Sequence, residues 1–214
     1  MQRSRLCSIL LDCRADTMAA GVRFWQQALG GTARDTECPS SLGDVLHTDG
    51  PAADRAGNMD LYGWLVGSWD IDVTEFRDDG STRRRPGEWH FGWVLEGRAI
   101  QDVWIVPPRG ARDHADAAAN SNSYGTTLRV YDPRIDAWHI QWTDPVAQAY
   151  LTQIGRKQGN DIMQDGKDAA GNRRRWSFCE ITPTSFRWRG EVSVDGGGMW
   201  RLHLEFFAHR AHAA

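Results

Sequence analysis

The sequence predicts an all-β protein: an antiparallel up-and-down β-barrel of about ten strands, preceded by a strand–helix appendage. Ten of the eleven tryptophans follow Asp60. Many of them alternate with other residues, as in Trp89-x-Phe91-x-Trp93, and period-two spacing places such side chains on one face of a strand. Short links rich in Gly, Asp, Asn and Pro separate the runs. Aromatic faces on many successive strands need a shared interior, which a closed barrel provides without bare edges.

The first 58 residues are predicted to form a separate segment. Leu6–Leu11 is a short apolar run, and Asp16 or Thr17 can cap a helix that Gly30-Gly31 ends. Residues 32–58 have weak periodicity and indicate a linker with one short strand near Val45-Leu46. We therefore divide the chain into an N-terminal strand–helix segment with linker, 1–58, and a barrel, 59–210.

Ten strands are predicted within the barrel. They cover residues 67–76, 82–94, 98–106, 123–131, 137–143, 147–157, 160–165, 173–181, 185–194 and 199–209. Nearly all the links are too short for parallel crossovers, so neighbouring strands are expected to be antiparallel. The one long link, residues 107–122, is predicted to be a mobile loop at one mouth of the barrel.

Composition argues against several classes of function. The formal net charge of −3 gives no bulk attraction for nucleic acid. No apolar run approaches the ~20 residues of a membrane helix. The four cysteines lack CxxC spacing, so neither a zinc site nor a disulfide framework is expected. We expect a cytoplasmic protein with reduced thiols and without a nucleic-acid or membrane partner.

The Trp-bearing faces of the strands are expected to line a cavity. Tyr150 shares a phase with Val146 and Ile154, and Tyr124 shares one with Leu128, so both tyrosines are included. The predicted ligand-binding residues are Trp69, Trp89, Phe91, Trp93, Trp104, Tyr124, Trp138, Trp142, Tyr150, Trp176 and Trp188.

Asp102 is the sharpest local anomaly in the sequence. It shares its strand face with Ile100, Trp104 and Val106, which should be buried. A carboxyl buried without a partner has a raised pKa and can act as a general acid or base. Asp102 is therefore the candidate catalytic residue. Two alternatives stay open: Asp102 pairs with an inward Arg or Tyr, or this strand presents its other face to the interior.

The histidines and the arginine runs indicate solvent-facing surfaces. His90, His139 and His203 alternate against apolar neighbours and are predicted to face solvent, so no metal site is expected. The runs Arg83–Arg85 and Arg173–Arg175 begin strands and are predicted to form a solvated rim.

Leu65-x-Gly67-x-Trp69 resembles the opening of the calycin group, which includes lipocalins, fatty-acid-binding proteins and nitrobindin-like haem proteins. Trp93 to Arg98, followed by Gln101-Asp102, looks like the second hairpin of bacterial lipocalin-like families. The resemblance implies a small apolar ligand. It also implies that Trp69 packs at the closed end under an arginine from near the end of the chain, either Arg201 or Arg210.

A nitrobindin-like barrel would need one inward histidine as the axial haem ligand, and His203 is the candidate. Because its phase points outward, no cofactor is predicted. Ile9-Leu-Leu-Asp-Cys13 with Phe24-Trp25-x-x-x-Leu29-Gly30-Gly31 looks like the opening of the glyoxalase/vicinal-oxygen-chelate family. That first strand has no His or Glu at a ligand position, so we carry over neither metal nor chemistry.

Three functions compete. The first is binding of a small apolar or aromatic molecule in the Trp-lined cavity. The second is a cyclase, isomerase or lyase that uses Asp102 in the same cavity. The third is a structural or homodimer-forming barrel whose aromatic side chains fill the core. The fold does not choose among them.

Overall fold

The computed structural model describes residues 41–112 and 122–211, together with Gln27. The chain divides into two units, residues 1–41 and 42–214, and the described ranges belong almost entirely to the second. The strand and helix predicted within residues 1–31, and with them the glyoxalase-like stretch, lie outside the described residues. So does most of the long link predicted at 107–122.

Ten antiparallel strands close into a barrel, which confirms the predicted fold class. Each of β2 to β11 pairs with the next strand, and β11 pairs with β2. The short β1 pairs with β3 at Val94 and Trp93, beyond the point where the pairing of β2 with β3 ends at Phe91. The strands are β1 His47–Thr48, β2 Gly67–Phe76, β3 Thr82–Val94, β4 Ala99–Val106, β5 Ser123–Asp132, β6 Ala137–Asp144, β7 Ala149–Gln158, β8 Asp161–Lys167, β9 Arg173–Cys179, β10 Ser185–Ser193 and β11 Arg201–Arg210.

Short helices precede the barrel. They are α1 Leu42–Leu46, a 3-10 turn Ala53–Arg55 and α2 Ala56–Gly63, and a second 3-10 turn, Arg109–Ala111, follows β4. The short strand predicted near Val45-Leu46 is displaced: those residues end α1, and the strand begins at the next residue. Sequence reasoning missed α2 altogether.

Helix α2 closes one end of the barrel. Met59 and Tyr62 are fully buried in the aromatic core. The Tyr62 ring packs edge-on against Trp138 with centroids 4.9 Å apart, and its hydroxyl accepts a hydrogen bond from Gln164 Nε2 at 2.9 Å. A side chain at Gly155 would overlap the Tyr62 hydroxyl, so this glycine makes room for the Tyr62 side chain of α2. Burial raises the pKa of Tyr62 to about 12.

The first and last barrel strands are joined at this closed end. Trp69 Nε1 donates to the Leu65 carbonyl at 2.7 Å, and the Arg210 guanidinium lies 4.1 Å from a Trp69 ring centroid. Arg210 also donates to the carbonyls of Val66 and Trp64. Of the two arginines that the calycin resemblance offered, Arg210 therefore fills the role, whereas Arg201 pairs with Asp78.

None of the described helices is long and apolar enough to cross a membrane.

Candidate ligand-binding site

Five aromatic side chains form a ring around the half of the interior farther from α2. Successive ring centroids lie 6.0, 5.9, 5.3, 4.7 and 6.4 Å apart around this ring. We call it the aromatic circuit, and its members are Trp104, Trp142, Trp176, Trp188 and Phe206. They come from β4, β6, β9, β10 and β11, so the circuit spans most of the circumference of the barrel.

Glycines on the inward face make room for the indoles of the circuit. A Cβ at Gly125 would overlap the Trp142 indole, and one at Gly190 would lie 2.7 Å from Trp188 Cη2. Trp142 and Trp176 are half-buried, whereas the other three members are buried. The half-buried pair therefore marks the side from which solvent reaches the circuit.

The remaining predicted aromatic residues fall into two groups. Trp89 borders the circuit, 5.2 Å from Phe206, and Phe91 packs on Trp89 at 4.5 Å. Trp69, Trp93 and Trp138 are buried in the closed-end core with α2. All five lie inside the barrel as predicted, but only the first two lie near the aromatic circuit.

Asp102 faces inward and is partnered by an arginine, which is one of the two alternatives left open by the sequence. Its Oδ2 forms an ion pair with Arg129 Nη1, and its Oδ1 accepts a hydrogen bond from the Thr127 backbone N–H at 3.1 Å. The two side chains are 0% and 1% exposed. The guanidinium lies 5.4 Å from the ring centroid of Phe91 and 5.5 Å from that of Tyr62. The described part of the interior therefore contains a fully buried charge pair that lies against aromatic rings.

Six polar atoms of side chains inside or bordering the interior have no hydrogen-bond partner among the described residues. They are Trp89 Nε1, Trp104 Nε1, Arg129 Nε, Gln153 Oε1, Gln164 Oε1 and His203 Nδ1. The closed end differs, because the indole N–H groups of Trp64 and Trp69 both donate to backbone carbonyls. Buried polar groups are normally paired, so each exception needs an explanation.

Two inward glutamines were missed by the sequence reasoning. Gln153 on β7 and Gln164 on β8 are buried, and Gln153 Nε2 donates to the Gln164 backbone carbonyl at 3.0 Å. Gln153 is followed on the inward face of β7 by Gly155, and Gln164 lies between Ile162 and Gly166 on that of β8, so no continuous apolar alternation pointed to the two glutamines. Arg129 was missed for the same reason. An inward Asp on the adjacent strand was the available signal that a cation should lie nearby.

The interior positions predicted for Tyr124 and Tyr150 are wrong. The two residues are 40% and 61% exposed. On β5 the inward residues are Gly125, Thr127 and Arg129, and on β7 they include Gln153. Following the more apolar phase of these strands selected the outer face, because the inner face is the polar one.

His203 does not face solvent as predicted. The β10–β11 register shifts between Gly190 and Glu191, which pair with Leu204 and Leu202, so His203 is the extra residue of a β-bulge. Its Cε1 would lie 3.0 Å from a Cβ at the inward-facing Gly190. Burial, with a smaller effect of Arg174, lowers the pKa of His203 to about 4. The imidazole is therefore neutral near pH 7.

The other predicted surface residues are charged and mostly paired. Arg174 forms an ion pair with Asp168 at 2.8 Å. Arg175 pairs with Asp165 at 3.0 Å and stacks 4.1 Å over Trp200 on the outer face. In the other run Arg85 does not face solvent as predicted: it shares the inward face of β3 with Trp89, its side chain is 14% exposed, and it pairs with Glu75. His139 is half-exposed and His90 lies 3.1 Å from Glu88, outside the barrel.

Two depressions lie on the outside of the barrel. One of about 600 Å³ lies beside α2 and includes Trp64 and Trp138, and one of about 450 Å³ lies across β11, β2 and β3. Neither contains the aromatic circuit. Within residues 41–112 and 122–211, no group of three or more His, Cys, Asp or Glu side chains could hold a metal ion.

No family model matches the sequence, and no curated protein matches it. The chain is similar to the crystal structure of Rv2717c from M. tuberculosis, with 12% identity, a TM-score of 0.51, and coverage of 73% of this chain and 99% of that one. S-type phycobiliprotein lyase CPES from Guillardia theta has 11% identity, a TM-score of 0.49, and coverage of 72% and 93%. The redesigned β-barrel mFAP0, bound to DFHBI, has 19% identity, a TM-score of 0.35, and coverage of 69% and 99%. The likeness to Rv2717c shows that the two chains share a barrel fold.

Proposed function

We propose that this protein binds a small, largely aromatic molecule within the aromatic circuit. The observation that carries the proposal is the combination of indole walls with six unpartnered polar atoms in one barrel interior. The indole N–H groups of Trp89 and Trp104 lie beside the circuit, whereas Arg129 and Gln164 lie toward Tyr62 of α2. Leaving a buried donor or acceptor unpaired costs about 1–3 kcal/mol. A purely structural core would gain from replacing these groups by hydrocarbon, whereas a binding site needs a few fixed polar groups among apolar walls.

Access is expected at the end of the barrel opposite α2. Trp142 and Trp176 are the half-buried members of the circuit, and their centroids are 5.9 Å apart. Rotation of these two indoles would open the circuit without disturbing the closed-end core around Tyr62.

The test is a titration of the protein with the neutral fluorophore N-phenyl-1-naphthylamine. We expect one saturable site per chain, quenching of tryptophan emission, and at least tenfold weaker binding to Trp176→Leu. The matched control is Trp200→Leu, which removes an indole from the outer face beside Arg175. Absence of saturable binding, or equal weakening by the two variants, would contradict the proposal.

Catalysis by Asp102 stays a prediction, and the geometry gives it less support than binding. One carboxylate oxygen is engaged by Arg129 and the other by the Thr127 N–H. A general acid or base needs an oxygen that reaches the substrate. A cyclase, isomerase or lyase activity that Asp102→Asn abolishes while the variant stays folded would establish this alternative.

A second candidate function, haem binding, is favoured by one observation. The β-bulge turns His203 inward as a neutral imidazole, and Nδ1 has no partner in the part of the chain that the structure describes. A nitrobindin-like barrel needs such a histidine. The residues therefore fit a haem group: His203 would hold the iron, and Trp188 would lie beside it. When bound, haem would supply an iron that binds small gases or exchanges electrons. Haemin titration should give a Soret band that His203→Leu shifts; identical spectra would exclude this reading.

A further inference from the structure

Five of the six unpartnered polar atoms inside the barrel lie on two opposite walls of the interior, and the sixth, His203 Nδ1 on β11, lies between those walls. The three donors lie on the adjacent strands β3, β4 and β5, and the two glutamine oxygens lie on β7 and β8. We propose that the ligand is a planar conjugated molecule with a hydrogen-bond acceptor on one edge and a donor on the opposite edge. Such a molecule carries a carbonyl and an N–H or O–H across the ring system. This inference rests on the proposed function and specifies its ligand class.

The donor wall is built from two facing tryptophans. Trp89 on β3 and Trp104 on β4 are directly opposite in the strand register, and both are buried. Both rings contact Phe206 of the aromatic circuit, with centroids 5.2 and 6.4 Å away. An indole N–H can only donate. A group that satisfies these two atoms must therefore be an acceptor.

The Nε–H group of Arg129 adds a third donor, on the side of this wall that is nearer α2. Asp102, its ion-pair partner, is opposite Phe91, one inward position nearer α2 than Trp89 and Trp104. The ion pair uses Nη1 of the guanidinium and leaves Nε without a partner among the described residues. Because Asp102 already neutralises the guanidinium, the wall favours a neutral acceptor such as a carbonyl over a free carboxylate.

The acceptor wall is fixed by the backbone at Gln153. Gln153 Nε2 lies 3.0 Å from the Gln164 carbonyl, which can only accept, so the unpartnered atom of Gln153 must be its oxygen. Gln164 Nε2 donates to the Tyr62 hydroxyl at 2.9 Å, and its oxygen has no partner among the described residues. Because a hydroxyl can also donate, the Gln153 oxygen is the acceptor that the backbone fixes. A ligand group that satisfies these two oxygens must be a donor.

The two walls face each other because the barrel has ten strands in sequential order. β7 and β8 lie three to five strands away from β3 and β4, so they occupy the other side of the interior. Aromatic rings of the circuit lie between these walls on both paths around the barrel. Trp142 on β6 lies on the path through β5 and β6, and Phe206 on β11 lies on the path through β9, β10, β11 and β2. A flat ring system between them would place its two polar edges on the two glutamines and the two indoles.

A matched set of tricyclic probes tests this arrangement. Acridone carries a carbonyl and an N–H on opposite edges, xanthone keeps the carbonyl but lacks the N–H, and carbazole keeps the N–H but lacks the carbonyl. We expect acridone to bind roughly tenfold more tightly than either of the others, since one net hydrogen bond changes affinity by up to about that factor.

Two variants should separate the walls. Trp104→Phe should weaken acridone and xanthone roughly five- to tenfold and leave carbazole unchanged. Gln153→Leu should weaken acridone and carbazole and leave xanthone unchanged. Trp64→Phe is the control, because its indole N–H is already bonded to the Leu61 carbonyl at 2.9 Å. Calorimetric titration measures the affinities, and circular dichroism verifies that each variant is folded.

The outcomes distinguish the inference from the proposed function. If all three probes bind with equal affinity and the variants act on them equally, the interior binds aromatic molecules but the two polar walls serve water only, and the inference is wrong. If neither these probes nor N-phenyl-1-naphthylamine binds, the proposed function itself fails. If xanthone binds more tightly than acridone, the assignment of the acceptor wall is overturned.

Discussion

The buried pair of Asp102 and Arg129 could be predicted only in part: the sequence indicated the inward carboxylate but not its partner. The sequence showed a carboxylate on an apolar face, which indicates either chemistry or a hidden partner. The structure supplies the partner two positions beyond Thr127, the residue directly opposite Asp102 on β5. Removing two charges from water is costly, and their attraction offsets this cost only when both remain. The pair should therefore behave as one unit.

Breaking the pair should cost more than removing it. Asp102→Asn leaves the Arg129 guanidinium buried without its counter-ion, and we expect a loss of about 3–5 kcal/mol in the free energy of unfolding. The double variant Asp102→Leu with Arg129→Met should regain most of that loss, because hydrocarbon of similar volume replaces both charges. Urea unfolding followed by circular dichroism measures the difference. Additive losses in a cycle of single and double variants would show that the two side chains act independently.

At the scale of the strand, boundaries were more predictable than faces. All ten predicted barrel strands lie within two residues of the observed limits, because Gly, Asp, Asn and Pro end each of them. The inward face was predictable where it carries tryptophan, as on β3. It was not predictable on β5 and β7, since interior Arg and Gln reverse the usual apolar alternation. A period-two rule cannot detect this reversal from one strand alone.

The β-bulge between β10 and β11 is the second place where the period-two rule fails. One extra residue on β11 reverses the face of His203 while Phe206 and Ala208 keep the inward phase. No residue pattern in the sequence marks the insertion, because Gly190 and the run after it also fit a regular strand. The candidate site was thus predictable in its aromatic part and not in its polar part.

The buried His203 should make stability depend on pH. Its pKa is about 4 in the folded protein against 6.5 ordinarily. Between these two pKa values the unfolded chain binds more protons than the folded one. The free energy of unfolding is therefore unaffected by His203 above about pH 6.5 and decreases as the pH drops from 6.5 toward 4. The loss is about 1.4 kcal/mol for each pKa unit between the states. His203→Leu should flatten this part of the curve. His209→Leu, at an exposed site of the same strand, is the control and should retain the slope.

At the scale of the whole molecule, closure depends on a few contacts at the α2 end. Ring contacts continue from Tyr62 through Phe178 to Trp89, so the closed-end core and the candidate site are in direct packing contact. Arg210, the last residue of β11, reaches back to backbone carbonyls that precede β2. A barrel has no bare edges only while its first and last strands stay paired. We therefore expect the stability of the whole interior to depend on this arginine.

Arg210→Met should destabilise the barrel by about 2–4 kcal/mol, because it removes charge-assisted hydrogen bonds to two carbonyls and the stacking on Trp69. Arg210→Lys should recover little, since an ammonium cannot reproduce the planar guanidinium. Arg201→Met, at the exposed start of the same strand, removes the surface pair with Asp78 and should cost less than about 1 kcal/mol. Hydrogen exchange should show faster opening at the β2–β11 pairing than at β5–β6 in Arg210→Met. Equal acceleration at both pairings would mean that Arg210 stabilises the barrel globally rather than its closure.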